Sequence, residues 1–131
     1  MISVENLSKS FGTTLAVDGV SFEIPKGQVV GFLGPNGAGK TTTMRLLTGY
    51  LPPDNGKATL MGRDIVTDSL QIRQTLGYLP ENNPLPEDIE VTDYLHYVAR
   101  LRGFHDASDR MARVKKVLKQ CSLHEVVGKK I

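Results

Sequence analysis

The sequence has no tryptophan, a single cysteine (Cys121) and an aromatic content of only 6%. A lone thiol cannot form a disulfide within the chain, which favours a reducing compartment such as the cytosol. No apolar run approaches the roughly 20 residues that a membrane-spanning helix needs, and the opening MISVENLSKS lacks the basic and apolar regions of a secretory signal. The net charge of +2 is too small for bulk charge to predict nucleic-acid binding.

The residues that are present can support a packed core. The chain of 131 residues is 40% hydrophobic and 23% charged, a balance typical of one domain or of part of a larger one. The charges are unevenly spread, since residues 81–93 carry five acids and no base, whereas residues 100–131 carry nine bases and three acids. We interpret both segments as solvated faces, with partner surfaces as the alternative.

Periodicity predicts several strands. Apolar and polar residues alternate over residues 2–7 and 20–24, which is typical of half-buried strands in an antiparallel sheet. Pro, Lys and Gly at 25–27 predict a turn. The continuous apolar run at 29–33 predicts a strand buried on both faces, as in the parallel sheet of an α/β core, and residues 78–80 predict a further strand.

Four helices are also predicted. One spans 40–48 and ends at Gly49, and a second begins at a capping box formed by Asp68 and Gln71. Two more follow from apolar residues spaced for one helix face, and these predict a small helical subdomain. The spaced residues are Val91, Tyr94, Leu95, Val98 and Leu101 in one helix, and Met111, Val114, Leu118 and Cys121 in the other, where Cys121 is expected to be buried.

One motif indicates chemistry. Residues 34–41 have the sequence GPNGAGKT and match G-x-x-x-x-G-K-[ST], the phosphate-binding P-loop, between a predicted buried strand and a predicted helix. Glycines let backbone N–H groups converge on one concavity, and the helix start adds unpaired N–H groups and a positive dipole end. Lys40 is expected to bind the β- and γ-phosphates, and the Thr41 hydroxyl is expected to bind Mg²⁺. The motif therefore predicts a nucleoside triphosphate site.

The surroundings of the motif resemble the ATP-binding subunit of ABC transporters along the whole chain. Residues 7–56 look like the β-subdomain and P-loop of that family, residues 76–103 look like its Q-loop and first helical segment, and the D-x-x-G and N-K-x-D motifs of GTPases are absent. The resemblance implies an α/β P-loop NTPase fold with an incomplete parallel core. It implies a β-subdomain and P-loop strand in 1–33, the P-loop helix to the Q-loop in 34–82, and a helical subdomain in 83–131.

The resemblance also implies which residues form an ATP and Mg²⁺ site. Phe11 matches the aromatic that stacks on adenine, an interaction that reads no hydrogen-bond pattern, and Ala16 lies beside the base. Glu81 stands where the family commonly has Gln; it is expected to be catalytic with Lys40 and a metal ligand with Thr41, although its full charge also repels the γ-phosphate. The cofactor-binding residues are Phe11, Ala16, Gly34, Pro35, Asn36, Gly37, Ala38, Gly39, Lys40, Thr41 and Thr42.

The segment GYLPENNPL at 77–85 most resembles ATPases that work with separate ABC-2-type permeases. This implies that the complete protein is a homodimer coupled to export by an ABC permease, cytoplasmic and peripheral on the inner face of the cell membrane. The acidic residues 81–93 would then lie where a segment of the permease docks. No nucleic acid is an expected partner, and the three histidines lack the spacing of a zinc site.

Several family motifs do not occur in the sequence: the signature loop, the Walker B run, the catalytic Glu and the switch His. The chain is therefore expected to be the N-terminal half of one ABC ATPase domain, inactive by itself. Two alternatives stay open. One is a soluble ABC-type ATPase acting on nucleic acid or ribosomes, and the other is a truncated nucleotide-binding protein without activity.

Overall fold

The computed structural model describes all 131 residues, which form two compact units, Met1–Tyr78 and Leu79–Ile131. No helix has both the length and the apolarity needed to cross a membrane. Each unit is described by itself below.

The first unit is built on a four-stranded antiparallel sheet. The strands are β1 (Ile2–Phe11), β2 (Thr14–Ile24), β3 (Asn55–Leu60) and β4 (Arg63–Asp64), in the spatial order β2-β1-β3-β4. The helices α1 (Lys40–Leu47) and α2 (Ser69–Thr75) complete this unit. Successive side chains of β1 and β2 point to opposite faces of the sheet, so one set lies on the face that carries the core. These side chains pack with apolar residues of both helices into one core of Val4, Leu7, Val17, Leu46, Leu47, Ala58, Leu60, Ile65 and Ile72.

β1 is irregular where it pairs with its neighbours. The register with β2 shifts three times between Val4 and Ser10, and the register with β3 shifts between Glu5 and Ser8. Asn6 has a φ of 49°, and a Cβ on Gly56 would lie 2.2 Å from the carbonyl oxygen of Asn6. The close approach of β3 to this bulge therefore requires glycine at position 56.

The second unit consists mainly of α3 (Val91–Leu101) and α4 (Ala107–Gln120), which pack against each other. The carboxylate of Asp106 accepts the backbone N–H of Asp109 at 2.7 Å and so caps the start of α4. A short 3₁₀ turn follows at His124–Val126. The end of the chain then returns to the start of α3, where Glu90 and Lys130 form an isolated antiparallel bridge.

Two strand predictions are wrong. Residues 29–33 and 78–80 are not in strands, and the side chains of Val29, Leu33 and Leu79 are strongly exposed. A strand needs an adjacent strand to take its backbone N–H and C=O groups. No strand of this structure lies beside either segment, because the sheet consists of β2, β1, β3 and β4 alone.

The four helices form where the sequence predicts them, although α4 begins four residues before Met111 and some other details are wrong. The Asp68 carboxylate accepts the N–H of Asp64 at 3.0 Å and makes no cap bond to α2, so the predicted capping box does not form. Cys121 and Met111 are exposed, contrary to the predicted apolar stripe. Of this stripe, α4 buries only Val114 and Leu118.

Candidate functional site

Residues 34–39 form a glycine-rich loop that leads directly into α1. Gly37 and Gly39 have φ angles of 84° and 80°, a left-handed conformation that side chains other than glycine rarely adopt. The N–H of Ala38 donates to the carbonyl oxygen of Pro35 at 3.2 Å and closes the turn in the middle of the loop. The loop therefore has the tight, reversing backbone that the sequence motif predicts.

The loop lies against β2 at Gly39. A Cβ on Gly39 would lie 2.2 Å from the carbonyl oxygen of Ala16 and 3.4 Å from Cγ2 of Val17. No side chain fits in that space, so glycine is required there by contact as well as by φ. The contact places Ala16 beside Gly39, the N-cap residue of α1. From the sequence, Ala16 was linked to the site by resemblance alone.

Lys40 folds back over its own loop. Its Nζ donates to the carbonyl oxygens of Gly34 at 2.6 Å and Pro35 at 2.7 Å. Both acceptors are neutral, and the ion pairs of the structure involve other lysines and arginines. An ammonium group has three N–H donors, so two are used and one is left for a further acceptor. Lys40 therefore brings an uncompensated positive charge to the loop.

The N-terminus of α1 adds further donors. Thr43 is the first residue whose N–H reaches a helix carbonyl, that of Gly39 at 2.8 Å, and its buried hydroxyl also donates to that oxygen at 3.0 Å. The N–H groups of Lys40, Thr41 and Thr42 lie before that point and have no acceptor within the helix. No acidic residue occupies the first turn, so the positive end of the helix dipole is not neutralised.

Phe11 lies at the end of β1, where a two-residue turn leads into β2. Its Cα pairs with that of Thr14, and 49% of its surface is exposed. Thr14 precedes Ala16 by two residues, which is about 7 Å along a strand. Residues 14–16 of β2 therefore pair with Phe11 at one end and contact the glycine-rich loop at the other.

Asp54 makes two contacts that the sequence did not predict. Its carboxylate accepts the Lys9 ammonium at 2.6 Å and the backbone N–H of Ser10 at 2.7 Å. The hydrogen bond from Lys9, and then that from Ser10, hold the pKa of Asp54 below its usual value of 3.8. No spacing rule links positions 9, 10 and 54, so the sequence contains no signal for this contact.

The predicted site residues divide between the two units. Phe11, Ala16 and residues 34–42 all belong to the first unit, whereas Glu81 is an exposed residue of the second. The catalytic and metal-binding role of Glu81 therefore stays a prediction.

The glycine-rich loop, the lysine and the uncapped helix together define a P-loop protein of the nucleoside triphosphatase class. The family described as ABC transporter matches residues 17–131, which is most of the chain. The chain belongs to the ABC transporter family and forms part of its nucleotide-binding domain.

Curated relatives agree with this assignment. The chain is 42% identical over 103 residues to the ABC transporter ATP-binding protein YhaQ of Bacillus subtilis, and 41% identical over 110 residues to the Nod factor export ATP-binding protein I of Ralstonia nicotianae. These matches cover 79% and 84% of this chain but 34% of each relative. The human ATP-binding cassette sub-family A member 2 is 42% identical over 105 residues, which is 79% of this chain and 4% of that protein. The chain therefore spans about a third of the length of the first two relatives and a much smaller share of the third.

Solved structures show the same fold. The ATP-binding subunit of an ABC transporter superposes with a TM-score of 0.82 at 24% identity, over 99% of this chain and 54% of that one. A dimeric ATP-binding cassette in a post-hydrolysis state, bound to ADP and Pi, superposes with a TM-score of 0.81 at 19% identity, over 99% of this chain and 61% of that one. Both likenesses concern the fold, which is that of an ABC ATPase domain.

Proposed function

We propose that this chain binds Mg-ATP, with the phosphates in the loop at 34–39 and on the N-terminus of α1. The observation that carries the proposal is that residues 34–42 combine three features that attract an anion. These are the spare N–H of the Lys40 ammonium, the amides of Lys40, Thr41 and Thr42, and the positive end of the helix dipole. A triphosphate has the negative charge and the acceptor oxygens that such an arrangement needs.

Each residue of the proposed site has a distinct role. Gly34, Gly37 and Gly39 keep side chains out of the cradle, and Pro35, Asn36 and Ala38 shape the loop between them. The exposed hydroxyl of Thr41 would supply an oxygen ligand to Mg²⁺. Phe11 stacks on adenine, with Ala16 beside the base and Thr42 next to the phosphates. Glu81 would complete the metal shell and position the attacking water.

The simplest test removes the lysine. Lys40→Ala is expected to weaken Mg-ATP binding by about 1.5–3 kcal/mol, at least roughly tenfold in Kd, because charge-assisted bonds to phosphate are lost. Isothermal titration calorimetry measures the change. Lys26→Ala, which removes an exposed lysine of the same unit outside the loop, is the matched control and is expected to bind like wild type. Wild-type affinity in a folded Lys40→Ala variant would show that the site is wrongly assigned.

For the complete protein we propose an ATPase that dimerises, binds two ATP molecules and drives export through a membrane permease. The names of two relatives, Nod factor export ATP-binding protein I and Phospholipid-transporting ATPase ABCA3, support transport as the task. The general base and the γ-phosphate contacts from the opposing subunit are proposed to come from outside residues 1–131. A separate permease would place the protein on the inner face of the cell membrane.

The permease is proposed to bind at the acidic segment 81–93. Five exposed carboxylates without a base favour a partner helix that carries Lys or Arg, because complementary charge assists docking and on-rate. Reversing the charges of Glu87 and Asp88 is expected to weaken co-purification with the permease most at low salt, where screening is least. Reversing the charge of Glu125, an exposed acid outside the segment, is the control. Equal assembly of all variants at every salt concentration would contradict this surface.

A further inference from the structure

The end of β1 lacks a strand on one of its sides. The pairing between β1 and β3 ends at Ser8 and Asn55, and the last backbone bond on that side runs from the N–H of Asp54 to the carbonyl oxygen of Ser8 at 2.9 Å. Pro52 and Pro53 come immediately before Asp54 and cannot donate to a ladder. The last residues of β1, up to Phe11, therefore continue beyond their partner strand.

The carboxylate of Asp54 takes the place of the missing strand. Oδ2 accepts the Ser10 N–H at 2.7 Å, in the position where a backbone carbonyl of β3 would otherwise act. Oδ1 accepts the Lys9 ammonium at 2.6 Å, and the Lys9 side chain is only 13% exposed. A single side chain thus fixes two successive residues of β1, and the next residue in the chain is Phe11.

The same contacts bear on the ring of Phe11. The Lys9 Nζ that Asp54 holds lies over this ring at 6.0 Å from its centroid, within the range of a cation–π contact. Lys9 therefore lies on one side of the ring, and about half of the surface of Phe11 stays exposed. The register of β1 with β2 shifts on both sides of Lys9, so strand pairing alone specifies the direction of Phe11 weakly.

We propose that Asp54 is a positioning residue of the nucleotide site, which sets the orientation of the Phe11 stacking platform through Ser10 and Lys9. The proposal rests on the proposed function, in which Phe11 stacks on adenine. Asp54 is expected to affect the binding of the base and not the binding of the phosphates, because its contacts lie on β1 and not on the loop at 34–39.

The test compares a ligand that has a base with one that has none. The Kd values of Mg-ATP and of magnesium tripolyphosphate are measured by calorimetry for wild type and for Asp54→Ala. Asp54→Ala is expected to weaken Mg-ATP binding about three- to tenfold, a part of the stacking contribution, and to leave tripolyphosphate binding unchanged. Glu5→Ala, which removes the carboxylate of the Lys57 ion pair in the same sheet, is the matched control and is expected to change neither Kd.

Two further variants isolate the route of the effect. Adding Asp54→Ala to Phe11→Ala is expected to cause no further loss of Mg-ATP affinity, because the platform is already absent. Asp54→Asn keeps an oxygen acceptor for the Ser10 N–H and loses the charge facing Lys9, so its Mg-ATP affinity is expected to fall between those of wild type and Asp54→Ala.

Equal weakening of both ligands by Asp54→Ala would overturn the proposal, since it would show a general structural role. Unchanged Mg-ATP affinity in Asp54→Ala, with a loss in Phe11→Ala, would overturn the proposal and leave the Phe11 platform standing. Unchanged Mg-ATP affinity in Phe11→Ala would overturn the platform together with this proposal, whereas the phosphate site would still be tested separately by Lys40→Ala.

Discussion

The two segments that flank the glycine-rich loop differ sharply in structure. Residues 29–33, before the loop, lie outside any strand and are exposed except for the half-buried Phe32, whose ring centroid lies 6.0 Å from that of Phe22 in β2. By contrast, α1, after the loop, is a regular helix whose Leu46 is fully buried. A helix satisfies its backbone hydrogen bonds within itself, while a strand depends on neighbours elsewhere in the chain. The loop is therefore held on its helical side by α1 and by the contact of Gly39 with Ala16, and on its other side by the contact of Phe32 with Phe22.

The largest expected effect is on stability and compares a buried leucine after the loop with an exposed leucine before it. Leu46→Ala is expected to lower the free energy of unfolding by about 2–5 kcal/mol, because it opens a cavity in the core of the first unit. Leu33→Ala, the matched change before the loop, is expected to stay within about 0.5 kcal/mol of wild type, since Leu33 is 93% exposed. Urea unfolding monitored by circular dichroism measures both. Similar losses would show that residues 29–33 are packed in solution.

An effect of intermediate size tests the contact that holds the loop to β2. Gly37→Ala places a Cβ in open space at positive φ and is expected to cost about 1–2 kcal/mol of stability. Gly39→Ala has the same backbone strain and also meets the Ala16 carbonyl oxygen, so a total loss of about 2–4 kcal/mol is expected.

The two glycine variants are compared in the same unfolding assay. The difference between them measures the Ala16 contact, because the φ angles of Gly37 and Gly39 are nearly equal. Equal stabilities for the two variants would contradict the docking of the loop on β2.

The smallest expected effect is the loss of stability at low pH that comes from protonation of Asp54. The pKa of Asp54 is lower in the folded chain than its ordinary value of 3.8, so its carboxylate stabilises the fold above that value. This contribution is lost as the pH falls from about 3.8 through the lower pKa of the folded state. The stability difference between wild type and Asp54→Asn is expected to shrink over the same pH range in urea unfolding. A difference that stays constant down to the lowest pH at which the chain folds would contradict the contact with Lys9 and Ser10.

The sequence by itself determined the features that depend on near neighbours in the chain. Alternation over 2–7 and 20–24 predicted parts of β1 and β2, the positions of the four helices were predicted, and the turn at 25–27 followed from Pro and Gly. The glycine-rich loop and the helix that begins at Lys40 were also predictable, because eight consecutive residues specify both the backbone and its charge. The helices and turns among these features are decided by hydrogen bonds between residues close together in the chain.

Only the tertiary structure decided which distant residues meet. The Ala16 carbonyl lies against Gly39, and the Asp54 carboxylate holds Lys9 and Ser10 across a separation of 45 and 44 residues. The exposure of Cys121 and the absence of a strand at 29–33 also depend on which surfaces and strands lie nearby, and periodicity carries no information about that. Such contacts form because sheet pairing and core packing bring remote segments together, and their energies do not depend on spacing along the chain.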